Sequence, residues 1–242
     1  MKFGFGLSAL KEQYPGVDAH YLRMPHVEKG MTVGLFGGSF NPPHGGHALV
    51  AEIAIRRLKL DQLWWMVTPG NPLKDSRELA SLSERLRLSE EVAEDPRIKV
   101  TALEAAFHVR YTADTLALIR NANPDVYFVW VMGADNLASF HRWQRWREIA
   151  QNFPIAIIDR PGSTLSYLSS RMAQTFSDSR LDERYAPVLA RRMPPAWTFI
   201  HGPRSSLSST ALRKVQLKKA PSKSERVAKP ATLETKQGLC LS

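Results

Sequence analysis

Apolar residues gather along this chain in short runs separated by stretches of helical spacing. Thr32–Phe36, residues 62–69 (QLWWMVTP), Arg97–Leu103, Asp125–Gly133, Pro154–Asp159 and Trp197–His201 each have the length and continuity of a strand buried on both faces. Between them the period lengthens. A helix is predicted from His44 through Ala48, Leu49, Ala51, Ile53, Ala54, Leu58 and Leu60. Another covers 81–95, with Ser81 or Ser83 as its cap, and a third starts at Thr112, with Thr112 or Asp114 as its cap. Residues 136–150 carry Phe140, Trp143, Trp146 and Ile149, one helix or a pair of turns with an aromatic face. Strands alternating with helices predict an α/β fold, a doubly wound parallel sheet with right-handed crossovers. No fixed-period repeat is visible.

Three segments stand apart from this alternation. Residues 1–30 have scattered apolar positions broken by Pro15, Gly16 and Pro25, and read as an irregular extension on a single domain of residues 31–213. Residues 163–195 look like an insertion of helical turns ahead of the sixth strand. Residues 214–242 are rich in Lys, Ser, Pro and Thr and are expected to stay disordered.

Composition narrows the class. With 242 residues, 43% hydrophobic and 23% charged, the chain can bury a real core. No apolar run approaches membrane-spanning length, no apolar signal segment opens the chain, and Cys240 is the only cysteine, which together predict a cytoplasmic protein without a membrane partner. The net charge is +10, and half of that excess lies in 214–242, so a basic folded face is not required. The modestly positive remainder suits a phosphate-rich substrate. A nucleic-acid partner would use the tail, yet the tail has no aromatic residue to stack on bases, so this reading ranks low.

The candidate chemistry sits after the first strand, in GGSFNPPHGGH. Gly37 and Gly38 let the backbone turn and approach a ligand closely. Asn41-Pro42-Pro43 stiffens the crossing into a helix start, where His44 and His47 project from the same turn. Free N–H groups, the helix dipole and two imidazoles favour an anion there. Neither the P-loop spacing nor GxGxxG occurs. His44 and His47 alone lack a third metal ligand, so no protein metal site is expected. A second stretch, Ser205 to Arg213 (SSLSSTALR), follows the last strand and opens a helix with Ser208 or Ser209 as cap and Arg213 one turn on, a second set of phosphate donors.

These two stretches resemble the HxGH and ISSTxxR elements of the nucleotidyltransferase superfamily. Further segments, Arg110-Tyr111-Thr112-Ala113-Asp114-Thr115-Leu116, Gly133-Ala134-Asp135 followed by Phe140-His141-Arg142-Trp143, and Asp159-Arg160-Pro161-Gly162, resemble the bacterial nicotinate-nucleotide adenylyltransferases. The resemblance implies a Rossmann-like nucleotidyltransferase fold and transfer of the adenylyl group of ATP to nicotinate mononucleotide, with Mg²⁺ on the phosphates. It implies that His44, His47 and Arg213 act on the reacting phosphates. ATP would lie against Gly37, Gly38, Ser39, Phe40 and Gly46. Gly133 and Asp135 would meet its ribose side, and Ser208, Ser209 and Thr210 its phosphate tail. Tyr111, Thr112 and Trp143 would hold the pyridine nucleotide, and Lys74 would lie near phosphate. Trp146 is expected in the core. Asn41 stands where the family commonly has aspartate, which leaves any carboxylate role there unfilled. The nicotinamide nucleotide or another phosphate monoester is the alternative substrate. A homo-oligomer is compatible with the chain.

Overall fold

The computed structural model describes residues 12–70, 79–159 and 167–202. Lys74, the Arg160-Pro161-Gly162 turn, and Ser208, Ser209, Thr210 and Arg213 lie outside the described residues, as do 1–11 and 214–242.

Six strands form one sheet: β1 (Thr32–Gly38), β2 (Gln62–Val67), β3 (Ile98–Thr101), β4 (Tyr127–Gly133), β5 (Ile155–Ile158) and β6 (Trp197–Ile200). Their order is β3-β2-β1-β4-β5-β6, and every pair is parallel. The six apolar runs are therefore the six strands, each shorter by a residue or more than its run except β1, which continues through both glycines. The strand order reverses between β1 and β4, and an open parallel sheet leaves a crevice there at its carboxyl edge.

Period-two alternation within the buried strands divides the core. On one face Phe36, Trp65, Val131 and Ile158 pack beneath α1 (Gly45–Leu58), α2 (Leu82–Val92) and the 3₁₀ turn Glu183–Arg191. On the other, Leu35, Trp64, Trp130 and Ile157 pack against α4 (Thr112–Ala122), α5 (Ala134–Phe140), α6 (Trp146–Asn152) and α7 (Arg171–Thr175). Gly34 lets the chain that leaves α1 sit close, because a Cβ there would come within 2.6 Å of Leu60 Cδ1.

One local expectation changes, and two take a definite form. Arg97–Leu103 is not all strand: the chain leaves the sheet at Thr101 and Leu103–Phe107 forms a short helix, α3. Thr101 Oγ1 ends the strand by accepting the Leu103 N–H at 3.1 Å while donating to the Tyr21 carbonyl of the amino-terminal extension. Residues 136–150 form two helices, divided by the turn that carries Trp143. The segment around 167–192 is short helical turns, tied to both core faces through Met172 and Leu189.

Near the end of β6, Glu183 accepts Arg57 Nη2 at 2.5 Å and both the backbone N–H (3.1 Å) and Nδ1 (2.8 Å) of His201. Burial works to raise the Glu183 pKa, but the His201 bonds and the Arg57 charge outweigh it and hold the carboxyl below its ordinary value. A depressed carboxylate contributes stability above its unfolded pKa and loses it as pH falls through the folded value. These groups are partly solvated, so the contribution is about 1 kcal/mol at neutral pH. Thermal unfolding of wild type and Glu183→Gln should show a gap that narrows below about pH 4.3. A gap of constant size down that range would mean the carboxylate charge plays no part.

Candidate active site

The site grows from the carboxyl end of β1. Gly37 faces the β4 side, where a Cβ would meet Trp130 Cη2 at 2.8 Å. Gly38 faces α1, where a Cβ would sit 3.1 to 3.3 Å from the Phe40 ring. Phe40 itself takes a left-handed backbone conformation, φ 43°, which costs energy for a residue with a Cβ. Burial of its ring against Phe36 (5.3 Å between centroids) and Trp65 (4.6 Å) offsets that cost. The chain then passes through a cis Asn41–Pro42 bond into α1.

At the start of α1 the two histidines cap each other. His44 is the N-cap residue, extended at φ −158° and ψ 166°. Its Nδ1 accepts the Gly46 N–H at 3.0 Å, and His47 Nδ1 accepts the His44 N–H at 3.2 Å. This has the form of a capping box in which imidazoles replace the usual hydroxyl and carboxylate. The chemical consequence is tautomeric. A ring nitrogen that accepts a hydrogen bond carries no proton, so both neutral rings are Nε2–H donors. The rings lie 3.9 Å apart, and Phe40 packs edge-on against His47 at 5.0 Å. His44 is buried. Two imidazoles whose Nδ1 atoms are fixed by the backbone thus stand side by side at a helix amino terminus, an arrangement suited to a phosphate.

Asn41 has a structural task. Its Oδ1 accepts the Ala80 N–H at 3.1 Å, a bond that an aspartate oxygen would also make. The expected gap left by the missing carboxylate is therefore filled in this one respect.

Gly133 and Asp135 flank the same crevice from β4. The parallel register of β1 with β4 pairs Phe36 with Val131, so two residues further on Gly38 and Gly133 stand level on adjacent strands. Asp135 follows in the first turn of α5. Trp143 lies in the turn beyond α5, partly exposed, its ring edge-on to Trp130 (6.1 Å) and Phe140 (5.4 Å). Trp146 is buried. On the β2 side of this crevice, α4 starts with Tyr111 as N-cap and no side-chain cap, and Thr112 is its first helical residue. Neither Thr112 nor Asp114 caps the helix as expected. Asp114 pairs instead with Arg145. Tyr111 is exposed, with the Arg110 guanidinium over its ring.

Two charged residues that the sequence reading did not single out lie beside this site. Arg85 of α2 is fully buried, 1% exposed, and donates to the carbonyls of Ser39, Thr68, Pro69 and Ala80. Glu104 of α3 accepts the Thr115 hydroxyl at 2.9 Å. Burial raises its pKa, opposed by the hydroxyls of Thr115 and Thr68.

After β6 the chain reaches His201 and Gly202. A Cβ on Gly202 would lie 2.7 Å from Ile53 Cδ1, so the backbone leaves the sheet pressed against α1, the helix that His44 and His47 open. Among the described residues no helix is long and apolar enough to cross a membrane, and no three His, Cys, Asp or Glu residues are grouped to hold a metal.

Comparison with known proteins agrees with this architecture. The family model for cytidylyltransferase-like proteins matches residues 35–215, which span both His44–His47 and Ser208–Arg213. A protein of Mesorhizobium japonicum named "Probable nicotinate-nucleotide adenylyltransferase" is 74% identical over 192 residues, 79% of this chain and 98% of that protein. A protein of the same name from Rhizobium johnstonii is 68% identical over 190 residues, 78% of this chain and 96% of that one. Among solved structures, the nicotinic acid mononucleotide adenylyltransferase of Plasmodium falciparum complexed with NaAD shares the fold, with a TM-score of 0.58 at 18% identity, covering 76% of this chain and 83% of that chain. The sheet order, the paired histidines at its switch point and this level of identity converge: the chain belongs to the nicotinate-nucleotide adenylyltransferase family of cytidylyltransferase-like proteins.

Proposed function

We propose that this protein transfers the adenylyl group of ATP to nicotinate mononucleotide, giving nicotinate adenine dinucleotide and pyrophosphate, a step of NAD biosynthesis in the cytoplasm. The observation that carries the reading is the mutually capped histidine pair at the start of α1, directly after the strand at which the sheet order reverses. The 5′-phosphate of the mononucleotide attacks the α-phosphorus of ATP in line, the bond to the β-phosphate oxygen breaks, and pyrophosphate leaves. The attacking phosphate is already anionic, so no strong general base is needed. Catalysis is placement together with neutralisation of developing charge.

His44 and His47 donate to the reacting phosphates. Gly37, Gly38, Ser39, Phe40 and Gly46 line the approach, and Gly133 and Asp135 face the ribose. Ser208, Ser209, Thr210 and Arg213 take the β- and γ-phosphates. Chain length permits this: Ser208 is six residues on from Gly202, a reach of up to ~20 Å for an extended chain. Mg²⁺ bound together with ATP would supply charge neutralisation on the phosphates. Lys74 adds a cation near those phosphates.

The pyridine nucleotide lies on the other side of the crevice. Trp143 offers its exposed face to the ring, and the uncapped start of α4 at Tyr111 and Thr112 offers free N–H groups to the carboxylate. An amide at that position places an NH₂ group against donors, which favours the acid. Turnover of the purified protein with each mononucleotide and ATP tests the proposal. Nicotinate mononucleotide should be preferred by about 100-fold or more in kcat/KM. Equal turnover, or none with either, would overturn it. Trp143→Ala should raise KM for the pyridine nucleotide about tenfold with kcat little changed. An unchanged KM would make Trp143 a packing residue only.

A further inference from the structure

We propose that Arg85 is a positioning residue for adenylyl transfer, fixing the loops after β1 and β2 so that the two substrates meet in line. This rests on the function proposed above and extends it to a residue that touches neither substrate.

The geometry is a four-way clamp. Arg85 Nη1 donates to the Ser39 carbonyl at 2.8 Å and to the Thr68 carbonyl at 2.7 Å. Nη2 reaches Pro69 at 3.2 Å and Nε reaches Ala80 at 3.0 Å. Ser39 belongs to the loop between Gly38 and the histidines. Thr68 and Pro69 end β2, and Ala80 precedes the Ser81 cap of α2. These carbonyls lie at the carboxyl edge of the sheet, where the last ladder bond is Thr68 N–H to the Gly38 carbonyl (3.0 Å) and Asn41 Oδ1 adds one bond to the Ala80 N–H. Among the described residues, Arg85 is the one group that holds all four loop positions at once. A planar guanidinium is the one side chain with enough donors, in a rigid fork, to hold all four.

The clamp continues toward the pyridine side. Thr68, held by its carbonyl to Arg85, donates its hydroxyl to the Gly70 carbonyl at 2.9 Å and lies close enough to Glu104 to act on its carboxyl, and Glu104 accepts from Thr115 in the first turn of α4. A continuous polar path therefore runs from the Ser39 loop through Arg85, Thr68 and Glu104 to the helix that opens at Tyr111 and Thr112. Arg85 is otherwise costly. It is fully buried, burial pushes its pKa down to about 10, and among the described residues it has no carboxylate partner. An apolar residue of similar length would fill the same space on the buried stripe of α2 beside Leu82 and Leu86 without that desolvation cost. A buried cation whose bonds, among the described residues, all go to loop carbonyls sets loop geometry.

The test compares Arg85→Lys and Arg85→Met with wild type and with Leu86→Ala, a core truncation on the same helix that leaves the clamp intact. Each is assayed at a temperature where near-ultraviolet circular dichroism shows it folded, with activity expressed per folded protein. Lysine keeps the charge and the stem but cannot span four carbonyls. Arg85→Lys should therefore lose about 100-fold in kcat, the size of effect expected when reacting groups are misplaced by an ångström, with both KM values within about threefold. Arg85→Met should lose at least as much, and Leu86→Ala should keep wild-type kcat. If methionine prevents folding, Arg85→Lys alone decides. Wild-type kcat in Arg85→Lys, or an equal loss in Leu86→Ala, would overturn the proposal. An inactive wild-type protein would instead overturn the function on which it rests.

Discussion

His47→Ala is expected to lower kcat by about 10² to 10³-fold, the range seen when one preorganised donor to a developing charge is removed. KM for either substrate should change only a few-fold, since the donor matters most as charge builds on the α-phosphate. Alanine also removes a cap, because His47 Nδ1 accepts the His44 N–H, and this costs about 1 kcal/mol of stability. His47→Asn separates the two effects. The asparagine oxygen can occupy the Nδ1 position and keep the cap, while nothing reaches the Nε2 position. This variant should melt near wild type and still be slow. A wild-type rate in His47→Asn would remove the imidazole from the chemistry.

Gly37→Ala should harm the other half of the site. The added methyl would sit 2.8 Å from Trp130 Cη2, and that ring is buried and cannot swing away. Overpacking of this kind costs about 1 to 3 kcal/mol, a clear drop in Tm. Trp130 also supports Trp143 edge-on, so the displacement should reach the pyridine shelf and raise KM for the mononucleotide more than for ATP. Gly38→Ala is the contrast. Its methyl meets the Phe40 ring at 3.1 Å, a milder clash on the side of His47, so its effect should fall on ATP and on kcat. The same pattern of KM changes in both variants would show that the two glycines do not serve separate halves.

The sheet was legible because buried parallel strands leave continuous apolar runs, such as QLWWMV and YFVWVMG, that helices between them interrupt. Strand ends were less legible. Leu103 continues an apolar run, and only the tertiary bonds of Thr101 to Tyr21 and Leu103 reveal that the strand has already ended. The histidines were visible as a pair at useful spacing, yet their reciprocal capping depends on an extended His44 backbone that spacing does not specify. Thr112 reads as a cap by residue type, but the helix begins at Thr112 itself, after Tyr111.

Arg85 shows what a closer reading could have found. Leu82, Arg85, Leu86 and Ser89 recur at the spacing of one helix face, and that face is buried. A charged residue in the middle of an apolar stripe is the signal, hidden here by the neighbouring Glu84, Arg87 and Glu91, which do face solvent. Glu104 left no comparable mark, since its desolvation comes from residues far away in sequence.

The most direct test of the central claim is a crystal structure of the protein with Mg²⁺ and a non-hydrolysable ATP analogue. The α-phosphate should lie within about 3.2 Å of both histidine Nε2 atoms, with Ser209, Thr210 and Arg213 on the β- and γ-phosphates of the same molecule. A nucleotide bound away from His44 and His47, or an Arg213 that shares no cleft with them, would contradict that claim.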